Sequence, residues 1–257
     1  MEIKNRHVLV TGASRGIGRA FANMCARDKA HLHLVVRKND PELLAEIESS
    51  GAKSVTLWVA DLSSRSGVQK LLDQLQEEKI DILFNNAGML TGGLLEEQPL
   101  DDIYGMLQVN INALIHLTHG LLPGMLQRKR GKIINNSSVS AYMHFPCAST
   151  YAASKAAVAA FTDCLQAELK NTSVSTLLLI TPGIKTRMFD EIENLYGKNS
   201  SVPQESISST QYAEMIREAI IEDLAVMEPS GLTGVGLKVA KYLPKVFSYE
   251  VSRRFKR

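Results

Sequence analysis

The sequence predicts an α/β fold with a parallel, doubly wound sheet. Two observations carry this. Short apolar segments alternate with longer helical patterns from the first residues to about residue 180, the rhythm of βαβ units. The apolar segments are rich in β-branched residues along their length rather than alternating, as strands buried on both faces require.

The first strand is HVLV (7–10), with a helical stretch from Ile17 to about Asp28 and a second strand HLHLVV (31–36). Asp40 followed by Pro41 reads as a helix cap and first turn, and Gly51 closes that helix. A third strand, SVTLWVA (54–60), precedes a helical pattern from Arg65 to Lys79 and a fourth strand, IDILF (80–84). A long helix from about Asp101 to Arg128 leads to KIINN (132–136). A helix around Tyr151 and the strand VSTLLLI (174–180) complete the regular part. No Pro/Gly/Ser-rich linker divides the 257 residues, so one domain over 1–257 is expected. After Thr181 the rhythm lapses, and the polar, Pro- and Gly-interrupted segment 184–209 is expected to form a lid.

Composition narrows the function classes. Hydrophobic residues make up 45% and charged residues 22%, ordinary for a globular protein, and the net charge of +2 gives no case for nucleic acid. The three cysteines form no CxxC pair and have no histidine at ligand spacing, so reduced thiols in a cytoplasmic protein are expected and no metal. The opening residues hold only three consecutive apolar positions, Val8 to Val10, too few for a signal-peptide core. No apolar run approaches the roughly 18 residues of a membrane span.

TGASRGIG (11–18) directly follows the first strand and opens the first helix. Gly12, Gly16 and Gly18 let the backbone turn tightly and approach a pyrophosphate, which the helix N-terminus stabilises. Ser14, Arg15 and Ile17 join them as cofactor-binding candidates in a Rossmann-type sheet. An acid at the end of the second strand would select NAD, but Val36 and Arg37 stand there. Arg37, with Arg15 as a second contact, favours the 2′-phosphate of NADP(H); otherwise both are solvated arginines.

With Asp61–Leu62 after the third strand, NNAG (85–88) after the fourth, Asn110 in the next helix, a serine after the fifth strand, YxxxK at 151–155 and PG at 182–183, the sequence resembles the short-chain dehydrogenase/reductase family from about residue 5 to 188. The resemblance implies that Asp61, beside Leu62, bonds the adenine amino group. Asn86, Ala87 and Gly88 would pass close to the adenosine ribose, and Pro182, Gly183, Ile184 and Thr186 would lie along the nicotinamide. It also implies a catalytic set of Asn110, Ser138, Tyr151 and Lys155. Ser138 matches the family's spacing to the tyrosine where Ser137 does not, and Lys155 would also bind the nicotinamide ribose. Asn110 would hold a water that links Lys155 to solvent.

Tyr151 and Lys155 lie one helical turn apart on one face. Carbonyl reduction needs a proton at the oxygen, and a phenol of pKa about 10 is a poor partner near neutrality. Lys155 is expected to pull it down; reaching about 7 takes roughly 4 kcal/mol, shared with the cofactor's positive ring. Met143, Phe145, Met188 and Phe189 suggest an apolar pocket for a lipid-like ketone or aldehyde. The expected activity is NADPH-dependent carbonyl reduction; the alternatives are a 3-oxoacyl-thioester reductase and a non-catalytic NADP-binding scaffold.

The relatives' VDGG-like terminal turn is missing, which leaves a homodimer through the Asn110 and Tyr151 helices, or a higher homo-oligomer, as the expectation. Residues 238–257 carry seven Lys or Arg and one Glu, a net of +6. Val239, Tyr242, Leu243, Val246, Phe247 and Val251 follow one helical stripe there. This tail either packs on its own subunit, the favoured reading because Pro244 interrupts it, or lies peripherally on an anionic membrane.

Overall fold

A computed structural model of the chain describes residues 1–186, 188 and 206–257. Strands β1 (His7–Thr11), β2 (His31–Val36), β3 (Ser54–Val59), β4 (Ile82–Asn85), β5 (Gly131–Asn136) and β6 (Val174–Leu179) form a parallel sheet. Two further short strands, β7 (Ile184–Lys185) and β8 (Ile207–Ser208), pair with each other beside it, and β9 (Val226–Met227) joins the main sheet in the order β3-β2-β1-β4-β5-β6-β9. The order reverses between β1 and β4, which opens a crevice at the carboxyl ends of the strands.

Register sorts the side chains onto two faces. Leu34, Val10, Phe84, Ile134 and Leu177 lie side by side across five strands and are fully buried. They pack against α1 (Gly16–Arg27), α2 (Pro41–Ser49) and α7 (Ser209–Ile221). Their neighbours one residue earlier, Leu9, Leu83 and Ile133, face α3 (Arg65–Gln74), α5 (Ala113–Gln127) and α6 (Ser149–Glu168). Each such side chain contributes about 1.5–3 kcal/mol by leaving water, so a strand with apolar residues on both faces fits only the middle of this sandwich.

Local signals set several helix starts. Asp40 caps α2, accepting from the Leu43 N–H at 3.0 Å with Pro41 at the first position, and Ser64 caps α3 through the Gly67 N–H at 3.1 Å. Ser208 and Gln211 form a reciprocal capping box at α7.

Three expectations need correction. β3 is not buried on both faces: it is the edge strand, and Val59 is 53% exposed. The helix expected over 101–128 is α4 (Leu100–Leu107), a π turn over Gln108–Asn112, and α5. The C-terminal stripe does not share one face. Pro244 starts a new helix, so α8 (Gly231–Tyr242) and α9 (Pro244–Arg254) form a hairpin. It leaves Tyr242, Leu243 and Val246 exposed while Phe247 and Val251 turn inward. Of the expected lid, residues 187 and 189–205, Phe189 among them, lie outside the described residues.

Candidate active site

The glycine loop is held against the end of β4. Gly12 has φ +66° and a Cβ there would stand 2.9 Å from the Ala87 Cα; Gly18 approaches the Gly12 carbonyl so closely that a Cβ would stand 2.3 Å from its oxygen. Thr11 Oγ1 accepts from the N–H groups of Asn86 and Ala87, both at 2.9 Å, and Asn86 Nδ2 donates to the Thr11 carbonyl at 3.0 Å. Arg15 precedes α1 without capping it, and the first turn carries no acid, so its N–H groups keep their partial positive charge available.

Arg15 and Arg37 are exposed, at the loop and just past β2, and neither makes an ion pair among the described residues. Asp61 lies near enough to Arg37 to feel its charge, although the bonds from Ser63 contribute most to holding its carboxyl below the ordinary range. Asp61 does not cap α3. Its Oδ1 accepts from the Ser63 N–H and hydroxyl at 2.9 and 2.7 Å, and the residue is exposed. Leu62 beside it is buried.

A cavity of about 570 Å³ opens at the crevice. Ile17, Asn86, Gly88, Ser138, Tyr151, Lys155, Pro182, Gly183, Ile184 and Thr186 all line it, together with Met143, Phe145 and Met188. Gly12, Ser14, Arg15, Gly16, Gly18, Arg37, Asp61, Leu62, Ala87 and Asn110 are not on its wall. Asn110 sits behind it, 2% exposed, in the π turn that interrupts the α4–α5 run. Its Oδ1 accepts from the Met89 N–H at 2.8 Å, while Nδ2 donates to the Met89 carbonyl at 3.0 Å and to Ser154 Oγ at 3.1 Å. The carboxamide therefore ties the segment after β4 to α6. Water retention is left to a remaining Oδ1 lone pair and the backbone.

Lys155 Nζ donates to the Asn136 carbonyl at 2.9 Å and lies 5.7 Å from the Tyr151 ring centroid. Ser137 also lines the cavity, but its hydroxyl is committed to the Lys155 carbonyl at 2.8 Å, whereas Ser138 Oγ accepts from the Ser140 N–H at 3.1 Å and keeps its own proton for another partner. The expected low tyrosine pKa is not what the fold produces by itself. Burial pushes the Tyr151 phenol up to about 12, and a hydrogen bond with Ser138 offsets part of that rise. Burial also lowers Lys155 to about 8. Both charged forms lose water, and that loss is the largest cause of each shift.

Two groups escaped the sequence reading. The first lies beneath the site. Asn136 Nδ2 donates to Asn86 Oδ1 at 3.1 Å, Thr181 Oγ1 donates to Asn136 Oδ1 at 2.5 Å, and the Thr181 hydroxyl meets the Tyr212 hydroxyl at 2.8 Å. The signal was present as two amides ending an apolar strand. The second is the C-terminal hairpin: Leu232, Gly236, Phe247, Glu250, Val251 and Arg254 complete the cavity wall. Phe247 meets Phe145 edge-on at 5.7 Å, Phe255 packs near Cys147 and Ala148, and Arg257 pairs with Glu96.

Over residues 6–196 the sequence matches the short chain dehydrogenase family. The chain belongs to that family. A short chain dehydrogenase of Pseudocercospora fijiensis is 37% identical over 188 residues, which are 71% of this chain and 60% of the relative. A fatty acyl-CoA reductase of Acinetobacter baylyi is 34% identical over 192 residues, 72% of this chain and 65% of that protein. The chain thus spans less than two thirds of either relative's length. A short-chain dehydrogenase from Sphingobium yanoikuyae, solved in complex with NADPH, superposes with a TM-score of 0.78 at 25% identity, covering 95% of this chain and 96% of the other. The Sphingobium yanoikuyae protein was solved with a nicotinamide cofactor, NADPH. The residues present fit that cofactor: a glycine cradle with no room for side chains, an uncapped helix N-terminus behind it, and a buried lysine deep in the cleft.

Proposed function

We propose that the chain, as one domain over 1–257, is an NADPH-dependent reductase of apolar, lipid-like ketones or aldehydes, with Tyr151 as proton donor. The observation that carries this reading is the convergence of Ser138, Tyr151 and Lys155 on one cavity whose other walls include Met143, Phe145, Phe247 and Val251. When bound, the nicotinamide cofactor supplies hydride to the carbonyl carbon.

The chain's own residues would do the rest. Ser138 donates to the carbonyl oxygen and holds it near the Tyr151 hydroxyl. A phenol raised to about 12 keeps its proton at neutral pH, which is the state that reduction consumes. The proton moves from Tyr151 Oη to the oxygen as charge builds there. Lys155, mostly protonated below its pKa of about 8, stabilises the phenolate left behind. Asn110 is a positioning residue, holding the segment at Met89 against α6. The glycine loop, with Ser14 and Ile17, would take the pyrophosphate, Arg37 and Arg15 the 2′-phosphate, and Asp61 the adenine. Pro182, Gly183, Ile184 and Thr186 would lie along the nicotinamide.

A second reading, reduction of a 3-oxoacyl or acyl thioester, is favoured by the similarity to a fatty acyl-CoA reductase. Nicotinamide absorbance tests both. Purified protein meets a panel of ketones, aldehydes and acyl thioesters with NADPH and NADH side by side. Consumption of NADPH that Tyr151→Phe lowers by roughly 10²–10⁴-fold supports reduction, and the best substrates separate the two readings. Tight NADPH binding with no turnover across the panel would instead favour the scaffold alternative.

A further inference from the structure

The α8–α9 hairpin has two unlike faces. One sends Phe247 and Val251 into the cavity. The other exposes Val235, Tyr242, Leu243, Val246 and Tyr249 by 60, 78, 55, 52 and 66%. Val246 and Tyr249 stand one turn apart, as do α8 positions 232 and 235, so these residues form stripes rather than scattered points. An isolated exposed apolar residue needs no explanation, but a grouped set on one hairpin marks a contact surface.

The charges left unpaired along it, among the described residues, are of one sign. Lys238, Lys245 and Lys256 are exposed and make no ion pair among the described residues. Glu250 is the one acid between 238 and 257, and it faces Arg253 and Arg254 at 3.2 and 3.7 Å. Lys241 is already engaged, paired with Glu228 and 4.2 Å above the Tyr142 ring.

We propose that the exposed face of the α8–α9 hairpin docks on an anionic phospholipid surface. Charge decides between occupants. A second copy joined through this face would set the same cations against one another, whereas anionic headgroups attract each of them while the apolar stripe enters the acyl boundary. Leu232 is 76% exposed and also belongs to the cavity wall, so docking brings the cavity mouth to the bilayer. The docking goes beyond the proposed reaction and does not depend on it.

The test is sedimentation of the full chain with vesicles of phosphatidylcholine alone, or with about a third phosphatidylglycerol. The chain is expected to pellet with the anionic vesicles only, and less so as salt rises. The variant Lys238→Gln/Lys245→Gln/Lys256→Gln should partition about a hundredfold more weakly, and Val246→Ser/Tyr249→Ser should lose binding, both with thermal unfolding like the parent's. Tyr249→Trp gives a second readout that needs no loss of function: its emission should shift to the blue on anionic vesicles. Equal pelleting with neutral vesicles, no pelleting, no blue shift, or binding indifferent to these variants would overturn the proposal. So would a dimer in solution that Val246→Ser/Tyr249→Ser dissociates, since the face would then belong to a second copy.

Discussion

Replacing Lys155 by methionine should stabilise the protein while abolishing turnover. The side chain is 6% exposed, and burial lowers its pKa from 10.5 to about 8. That displacement corresponds to about 3 kcal/mol of native-state cost for holding the charge at neutral pH. The sign follows from proton counting. Between pH 8 and 10.5 the unfolded chain keeps the lysine proton and the folded chain has released it, so stability rises with pH across this window. Below about pH 8 both states are protonated and the whole cost is present. Lys155→Met removes that cost and also the hydrogen bond to the Asn136 carbonyl, which offsets about 1 kcal/mol. The net is about 2 kcal/mol at pH 7, or roughly 4–8 °C in melting temperature for a chain of this size. Thermal unfolding without nicotinamide, at pH 7 and near pH 10, measures it. The parent should gain stability relative to Lys155→Met on going to the higher pH. A variant that melts below the parent at pH 7 and shows the same pH slope would refute the reasoning.

His33 makes a second linkage prediction. Its Nδ1 accepts from Trp58 Nε1–H at 3.3 Å and its Nε2 meets His7 Nδ1 at 3.1 Å; burial first, then His7 and His31, lower its pKa to about 4, even with the Glu78 carboxylate 3.8 Å from Nε2. The stability that the neutral ring contributes is present above pH 6.5 and lost as pH falls to about 4, about 3 kcal/mol in all; urea titrations of His33→Gln should show a shallower acid loss, and an unchanged slope counts against it. Gly18→Ala forces a Cβ to within 2.3 Å of the Gly12 oxygen and 2.6 Å of Asn86 Nδ2, so NADPH affinity should fall at least tenfold, with about 1–3 kcal/mol of stability lost, measured by fluorescence titration and melting. Arg37→Asp should lower the ratio of kcat/KM with NADPH to that with NADH about a hundredfold; an unchanged ratio would remove Arg37 from the 2′-phosphate reading.

Much of the site was legible because its residues follow local rules. A glycine turn between a strand and a helix is a backbone requirement, and the approach of Gly18 to the Gly12 carbonyl is that requirement met. Tyr151 and Lys155 lie four apart on a helix, so their shared face needed no tertiary information. The parallel sheet was legible because central strands must be apolar on both faces, and the rule failed where that premise fails, at the β3 edge.

What the sequence did not disclose depends on groups brought together from far along the chain. The π turn at Asn110 has no composition signature. The observed turn accompanies bonds to Met89, twenty-one residues earlier, and to Ser154, forty-four later. The tyrosine pKa was reasoned from a charge one turn away, yet desolvation set its direction, and desolvation is a property of the closed site rather than of the helix. Pro244 was visible as a break, but a break does not fix the direction of the helix that follows. The direction taken puts Phe247 beside Phe145 and Val251 on the cavity wall, so a segment beyond the family match over 6–196 becomes part of the cavity. Tyr151 and Lys155 come from a helix whose spacing announces them, while the shape of the cavity depends on a C-terminal hairpin whose outward face is free to respond to another surface.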